Sequence, residues 1–97
     1  MERVEFDDII YVEALSNYIT LHTINGKLIT YLTIKGLTGS LPAAKFIQVH
    51  KSFIINTDKV KTIDGNTIHL GTTNITIGQS FRDKVMKRIL KDKFLKR

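Results

Sequence analysis

The chain has 97 residues, fifteen basic and nine acidic, with a formal net charge of +6. A chain this short makes one domain and buries roughly two thirds of its unfolded surface, which excludes a two-domain enzyme. Its 42% apolar content and scarce Pro and Gly exclude a disordered tail. The absence of cysteine excludes a disulfide framework, a Cys-zinc site and a thiol nucleophile, and suits a reducing cytoplasm. No apolar run approaches the ~20 residues that span a bilayer, and the N-terminus has no signal-peptide pattern, so no membrane partner is expected. The positive excess points to an anionic partner, nucleic acid first. It is unevenly placed. Residues 81–97 hold eight basic and two acidic residues, whereas residues 1–13 hold five acids and only Arg3.

The predicted elements are mostly strands. Ile9 to Val12 is a β-branched and aromatic run behind the Asp7-Asp8 turn, and Leu15-Ser16-Asn17 interrupts it. Tyr18 to Thr23 alternates, with Ile19 and Leu21 on one face and Tyr18, Thr20 and His22 on the other. Asn25-Gly26 then marks a hairpin turn, and Lys27 to Leu32 returns. Ile34, Leu37 and Leu41 recur at helical spacing. Thr33 is placed to cap that helix, Pro42 to stop it, and Gly36 and Gly39 weaken it.

Phe46–Val49 and Ser52–Ile55 are further strands, separated by His50-Lys51. Val60–Ile63 and Thr67–Leu70 pair across an Asp64-Gly65-Asn66 turn, and Ile75–Ile77 is the last strand. From Phe81 the period becomes helical: Phe81, Val85, Met86, Ile89, Leu90 and Phe94 form one stripe, with Ser80 as the expected N-cap. The expected fold is therefore mainly β: short antiparallel sheets in an elongated, sandwich-like arrangement, one short mid-chain helix and a C-terminal amphipathic helix.

Catalytic groupings are missing from this pattern. His22, His50 and His69 have no metal-ligand spacing, and two of the three alternate with apolar neighbours on predicted strands, where a structural histidine is the better reading. Ser52, His50 and Asp58 could be imagined as a triad, but no strand-turn-helix elbow exposes the serine. Neither phosphate-loop motif occurs, and Asp7-Asp8 reads as a solvated turn. No enzymatic activity, cofactor or metal is expected. Three strand interruptions suit DNA instead. Ser16-Asn17 offers an amide that can read adenine bidentately, though a lone Asn is by default a turn residue. His50-Lys51-Ser52 offers a cation and a hydroxyl for phosphate, against the plain reading of a solvated loop. Gln79-Ser80-Phe81-Arg82 opens the last helix, where unpaired N–H groups favour an anion, against the plain reading of an ordinary cap.

Those loops, in that order, resemble the LytTR family of DNA-binding domains. The resemblance is carried by Asp8 to Ala14, Asn17-Tyr18-Ile19, Asn25-Gly26-Lys27 and Leu37 to Pro42. Its most specific parts are Phe46-Ile47-Gln48-Val49-His50-Lys51-Ser52-Phe53-Ile54-Ile55-Asn56 and Ile75 to Arg82. It covers about residues 6–90 of a single expected domain. It implies loops set into successive major grooves of double-stranded DNA, without a helix-turn-helix, and dimers on repeated sites.

Carried over by position, the DNA-binding set is Ser16, Asn17, His50, Lys51, Ser52, Gln79, Ser80 and Arg82. The sequence departs from the family pattern at Lys51, where Arg is commoner, at Gln48, where a basic residue is frequent, and at Gly78, where Ser is usual. Lysine delivers a point charge rather than a fork, which favours phosphate over guanine at position 51. The resemblance further implies a bacterial transcription regulator in the cytoplasm. A receiver domain would precede this one in a two-component response regulator, or a separate sensor kinase would supply the signal; neither is in these residues. Met1 directly before the domain start fits an excised C-terminal fragment, and a single-domain regulator is the alternative. The rival from another class is a protein-interaction module pairing the acidic start with the basic end. Single-stranded nucleic acid on exposed Tyr11, Tyr18 or Tyr31 is a third reading.

Overall fold

The computed structural model describes residues 3–92, with side chains to position 89. Leu90 and Phe94 of the apolar stripe, and the cations Lys91, Lys93, Lys96 and Arg97, lie outside the described side chains. Among the described residues, eight strands form two antiparallel sheets. The larger contains β1 (Ile9–Ala14), β2 (Ile19–Thr23), β3 (Gly26–Thr30), β4 (Phe46–His50) and β5 (Phe53–Asn56), in the order β3-β2-β1-β5-β4. The smaller is β6 (Thr62–Asp64), β7 (Thr67–His69) and β8 (Asn74–Thr76), in sequence order. Helix α1 (Ile34–Thr38) lies between β3 and β4, and α2 (Arg82–Asp92) follows β8. The described chain measures 40 × 25 × 21 Å, so the elongated shape is observed.

Strand β5, between β1 and β4, is apolar on both faces. Ile54 faces a cluster of Ile9, Val12, Ile19, Leu21, Leu37, Leu41 and Phe46, closed by α1 and the turn after it. Ile55 faces the opposite cluster, where Ile47 and Val49 of β4 meet the small sheet and Val85 and Ile89 of α2. Strict alternation would set Ile9 with Tyr11 and Ile10 with Val12. A bulge between Ile9 and Tyr11 changes this, setting Ile9 and Val12 into one cluster while Ile10 and Tyr11 pack on the other.

Several local expectations shift. The β2–β3 turn is Ile24-Asn25 rather than Asn25-Gly26, because Thr23 and Gly26 are partners in the ladder. The Thr23 hydroxyl accepts from the Asn25 N–H and donates to the Gly26 carbonyl, closing the turn one residue early. Gly26, at φ 126°, supplies the left-handed start of the return strand. The mid-chain helix ends at Thr38, well before Pro42, with Thr33 accepting from the Gly36 N–H as expected of its cap. Ser80 is not the N-cap of α2. Gly78 is extended, Gln79–Phe81 make a 3-10 turn closed by the Phe81 N–H on the Gly78 carbonyl (2.9 Å), and α2 continues directly from it. Ser80 therefore lies inside the first turn.

The acidic start is tied down at one point. Lys45 Nζ donates to Asp7 and also pairs with Asp58 at 3.7 Å. The hydrogen bond from Lys45, with its charge, holds the Asp7 carboxyl below its ordinary 3.8. A lowered carboxyl pKa stabilises the fold above the unfolded value and loses that contribution as pH falls through the folded one. Asp7→Asn is accordingly expected to remove a small part of the decline in urea midpoint below pH 4 and to leave neutral-pH stability slightly reduced. An unchanged acid profile would show that the exposed pair contributes nothing.

Candidate nucleic-acid interface

The three interruptions of the strand pattern meet at one end of the large sheet. Antiparallel pairing of β1 with β5 brings the end of β1 beside the start of β5, and the Ala14 N–H donates to the Ser52 carbonyl at 2.8 Å. The Ser16-Asn17 turn is thus next to the Lys51-Ser52 turn. On the other side, the Gly78 N–H donates to the Val49 carbonyl at 2.8 Å, which docks the Gln79–Arg82 segment against the end of β4. Ser52 and its turn sit in the centre, with Asn17 on one flank and Gln79 on the other. The sequence order of the loops is also their spatial order.

Side-chain exposure divides these residues. Ser16, Asn17, Lys51, Gln79 and Ser80 are exposed, whereas His50, Ser52 and Arg82 are half-buried. Lys51 and Ser52 form a two-residue turn, because His50 and Phe53 are partners in the ladder. The Ser52 N–H donates to His50 Nδ1 at 3.1 Å, and the Gln48 amide donates to the His50 carbonyl at 3.2 Å. Arg82 donates to the Asn66 side-chain carbonyl, in the β6–β7 turn. The Ile77 N–H donates to the Asn66 main-chain carbonyl at 2.7 Å. Asn66 therefore buttresses the third loop from the small sheet, a role that its place in a turn did not reveal. Lys84 and Lys87 are exposed on α2, where they add positive charge beyond the loops.

The other histidines are satisfied within the fold. His22 Nε2 lies 3.1 Å from Glu13 Oε1, and its ring stacks on Tyr11 at 4.1 Å between centroids. His69 Nδ1 meets Asn74 Oδ1 at 2.8 Å. Burial, with the nearby Glu13 charge, pushes the Tyr11 phenol above its ordinary value. Tyr11 is thus a packed residue and not an open stacking platform. Among the described residues no group of three or more His, Asp or Glu could hold a metal ion, and no helix is long and apolar enough to cross a membrane.

The family model of the LytTr DNA-binding domain matches residues 1–90, nearly the whole chain. The chain belongs to the LytTr DNA-binding domain family. It is 31% identical over 90 residues to the transcriptional regulatory protein NatR of Bacillus subtilis strain 168, a match covering 93% of this chain and 38% of that protein. It is 35% identical over 60 residues to the sensory transduction protein LytT of Bacillus anthracis, covering 62% of this chain and 24% of that protein. The chain thus spans less than two fifths of the length of these curated relatives. A solved LytTr DNA-binding domain from Bacillus cereus superposes with a TM-score of 0.81 at 23% identity, covering 89% of this chain and 84% of that one. That likeness concerns the fold: the two-sheet architecture of the LytTr domain is the architecture described above.

Proposed function

We propose that this LytTr domain binds double-stranded DNA sequence-specifically through the three adjoining loops, as the output unit of a bacterial response regulator. The observation that carries the reading is the single row of exposed polar side chains that two backbone hydrogen bonds, Ala14 to Ser52 and Gly78 to Val49, hold at one end of the large sheet. A rigid sheet end with three projecting turns can enter a major groove without a recognition helix. Asn17 and Gln79 carry amides that pair with base edges. Lys51, Ser52, Ser80 and Arg82 anchor phosphates, and Ser16 supports Asn17. One loop row reads only a short segment of duplex, which favours two copies on repeated sites. The regulators named among the relatives are much longer than this chain, which fits a receiver domain or a sensor kinase supplying the signal in the cytoplasm.

Phosphate contact makes binding fall with salt, at a slope of about −0.9 in log affinity against log salt for each phosphate neutralised. Lys51→Ala should flatten that slope by about one and weaken all duplexes nearly alike. The measurement is a salt titration of specific and random duplex with both proteins. A steep slope that Lys51→Ala leaves untouched would remove Lys51 from the interface. Failure of the unaltered domain to retard any duplex at low salt would remove the function itself and leave the protein-interaction reading.

A further inference from the structure

We propose that His50 is a positioning residue: its imidazole acts as the hydrogen-bond acceptor that shapes the Lys51-Ser52 turn, and it does not touch DNA. The inference rests on the three-loop reading above and deepens it at the central loop.

The two residues of this turn face opposite demands. Lys51 must project, and the backbone beneath it must be fixed without help from a long ladder. The Ser52 N–H is held by His50 Nδ1 at 3.1 Å. This is the geometry of an Asx turn, in which a side-chain acceptor takes the N–H two residues on. A nitrogen that accepts from a backbone N–H carries no proton, so the ring hydrogen of the neutral imidazole sits on Nε2.

The ring is half-buried in this arrangement. It lies 5.5 Å from the Phe53 ring, centroid to centroid. The third loop closes over it as well. A Cβ at Gly78 would lie 3.5 Å from both Cα and Cδ2 of His50 and 3.2 Å from Phe81. His50 therefore lies beside both the turn that it caps and the start of the loop that carries Gln79. A bulge between Gln48 and His50, with the Gln48 amide on the His50 carbonyl, sets the residue's backbone. A histidine that merely filled space would need no acceptor, and that difference can be measured.

Two substitutions separate the roles. His50→Asn keeps a side-chain acceptor suited to an Asx turn and removes the ring. His50→Phe keeps a ring and removes the acceptor. Far-UV circular dichroism and melting temperature check that each is folded, and His50→Ala replaces the Phe variant if it is not. The expected result is that His50→Asn binds specific duplex within about threefold of the unaltered domain, while His50→Phe weakens it about five- to tenfold, the effect of one lost ordering hydrogen bond. Neither should change the salt slope. In the free domain, nitrogen NMR should find His50 Nδ1 unprotonated and Nε2 protonated.

Loss of affinity in both variants with a slope flatter by about one would make His50 a phosphate contact and overturn the proposal. Unaltered binding by both would overturn it too, as would a proton on Nδ1. If the unaltered domain binds no duplex, the three-loop reading fails on that ground, and the nitrogen spectrum of the free domain still tests the acceptor role.

Discussion

Asn56→Ala is expected to destabilise the fold by about 2–4 kcal/mol, from a lost buried hydrogen bond plus a small cavity. Asn56 closes the most specific stretch of the sequence, and its position there invites a functional reading. It is fully buried at 0% exposure. Its amide nitrogen donates to the Ile9 carbonyl at 2.9 Å, bridging the end of β5 to the start of β1. Its side-chain oxygen accepts from the Asp58 N–H at 2.9 Å and starts the 3-10 turn that follows. Alanine leaves the Ile9 carbonyl buried without that partner. Asn56→Asp tests the same point from the other side: a carboxylate still accepts from Asp58 but cannot donate to Ile9, and it adds a buried charge. It should cost at least as much as alanine. Urea unfolding gives both values. A loss below about 1 kcal/mol for alanine would mean that water replaces the bridge. Binding by the folded fraction should be unaffected, because Asn56 lies at the opposite end of β5 from the Lys51-Ser52 turn.

Asn17→Ala is expected to weaken specific duplex by about 1–3 kcal/mol while leaving random duplex nearly unchanged. The two halves of that expectation have separate causes. A neutral amide neutralises no phosphate, so it contributes little to sequence-independent binding. A bidentate amide-adenine pair, by contrast, is lost entirely with the side chain. Asn17 is exposed and lies in the turn between β1 and β2, away from both apolar clusters, so stability should change by less than about 0.5 kcal/mol. Competition titrations with specific and random duplex measure the difference. Equal losses in both would make Asn17 a phosphate or structural residue.

Much of this was legible in the residues. The strands, the two hairpins flanked by glycine and the final helix follow from alternation, β-branched runs and a 3.6-residue period. The misplacements have local physical causes. Asn25-Gly26 is a strong turn signal, yet the Thr23 hydroxyl moved the turn, and Gly26 used its positive φ as the first strand residue. Ser80 has the right chemistry for a cap, yet the 3-10 turn from Gly78 had already begun. Thr20, on the polar face of β2 with Tyr18 and His22, is nevertheless buried at 5% exposure, paired across the ladder with Glu13. The bulge in β1 has no signature in the residues; it shows only in the register of β1 against β2.

The interface was legible only in part. Each loop could be found from its residue types, and their order carried the family resemblance. Their meeting at one sheet end depends on β1 pairing with β5 between residues at least forty positions apart and on one Gly78–Val49 hydrogen bond. Periodicity contains neither. The net charge, conversely, pointed to nucleic acid through residues that are mostly not in the loops. Of the eight basic residues after Ser80, only Arg82 belongs to the proposed reading set, and it is held by Asn66. On the proposed reading, the charge supplies general attraction and the loops supply choice.

The central claim is that one end of the large sheet reads DNA sequence. Selection from a random duplex pool with the unaltered domain, repeated with Asn17→Ala, tests it most directly. The account predicts enrichment of a defined short sequence, recurring as a spaced repeat, with preference at one position relaxed by the substitution. Retention of all duplexes alike by both proteins would contradict it and reduce the domain to a basic surface.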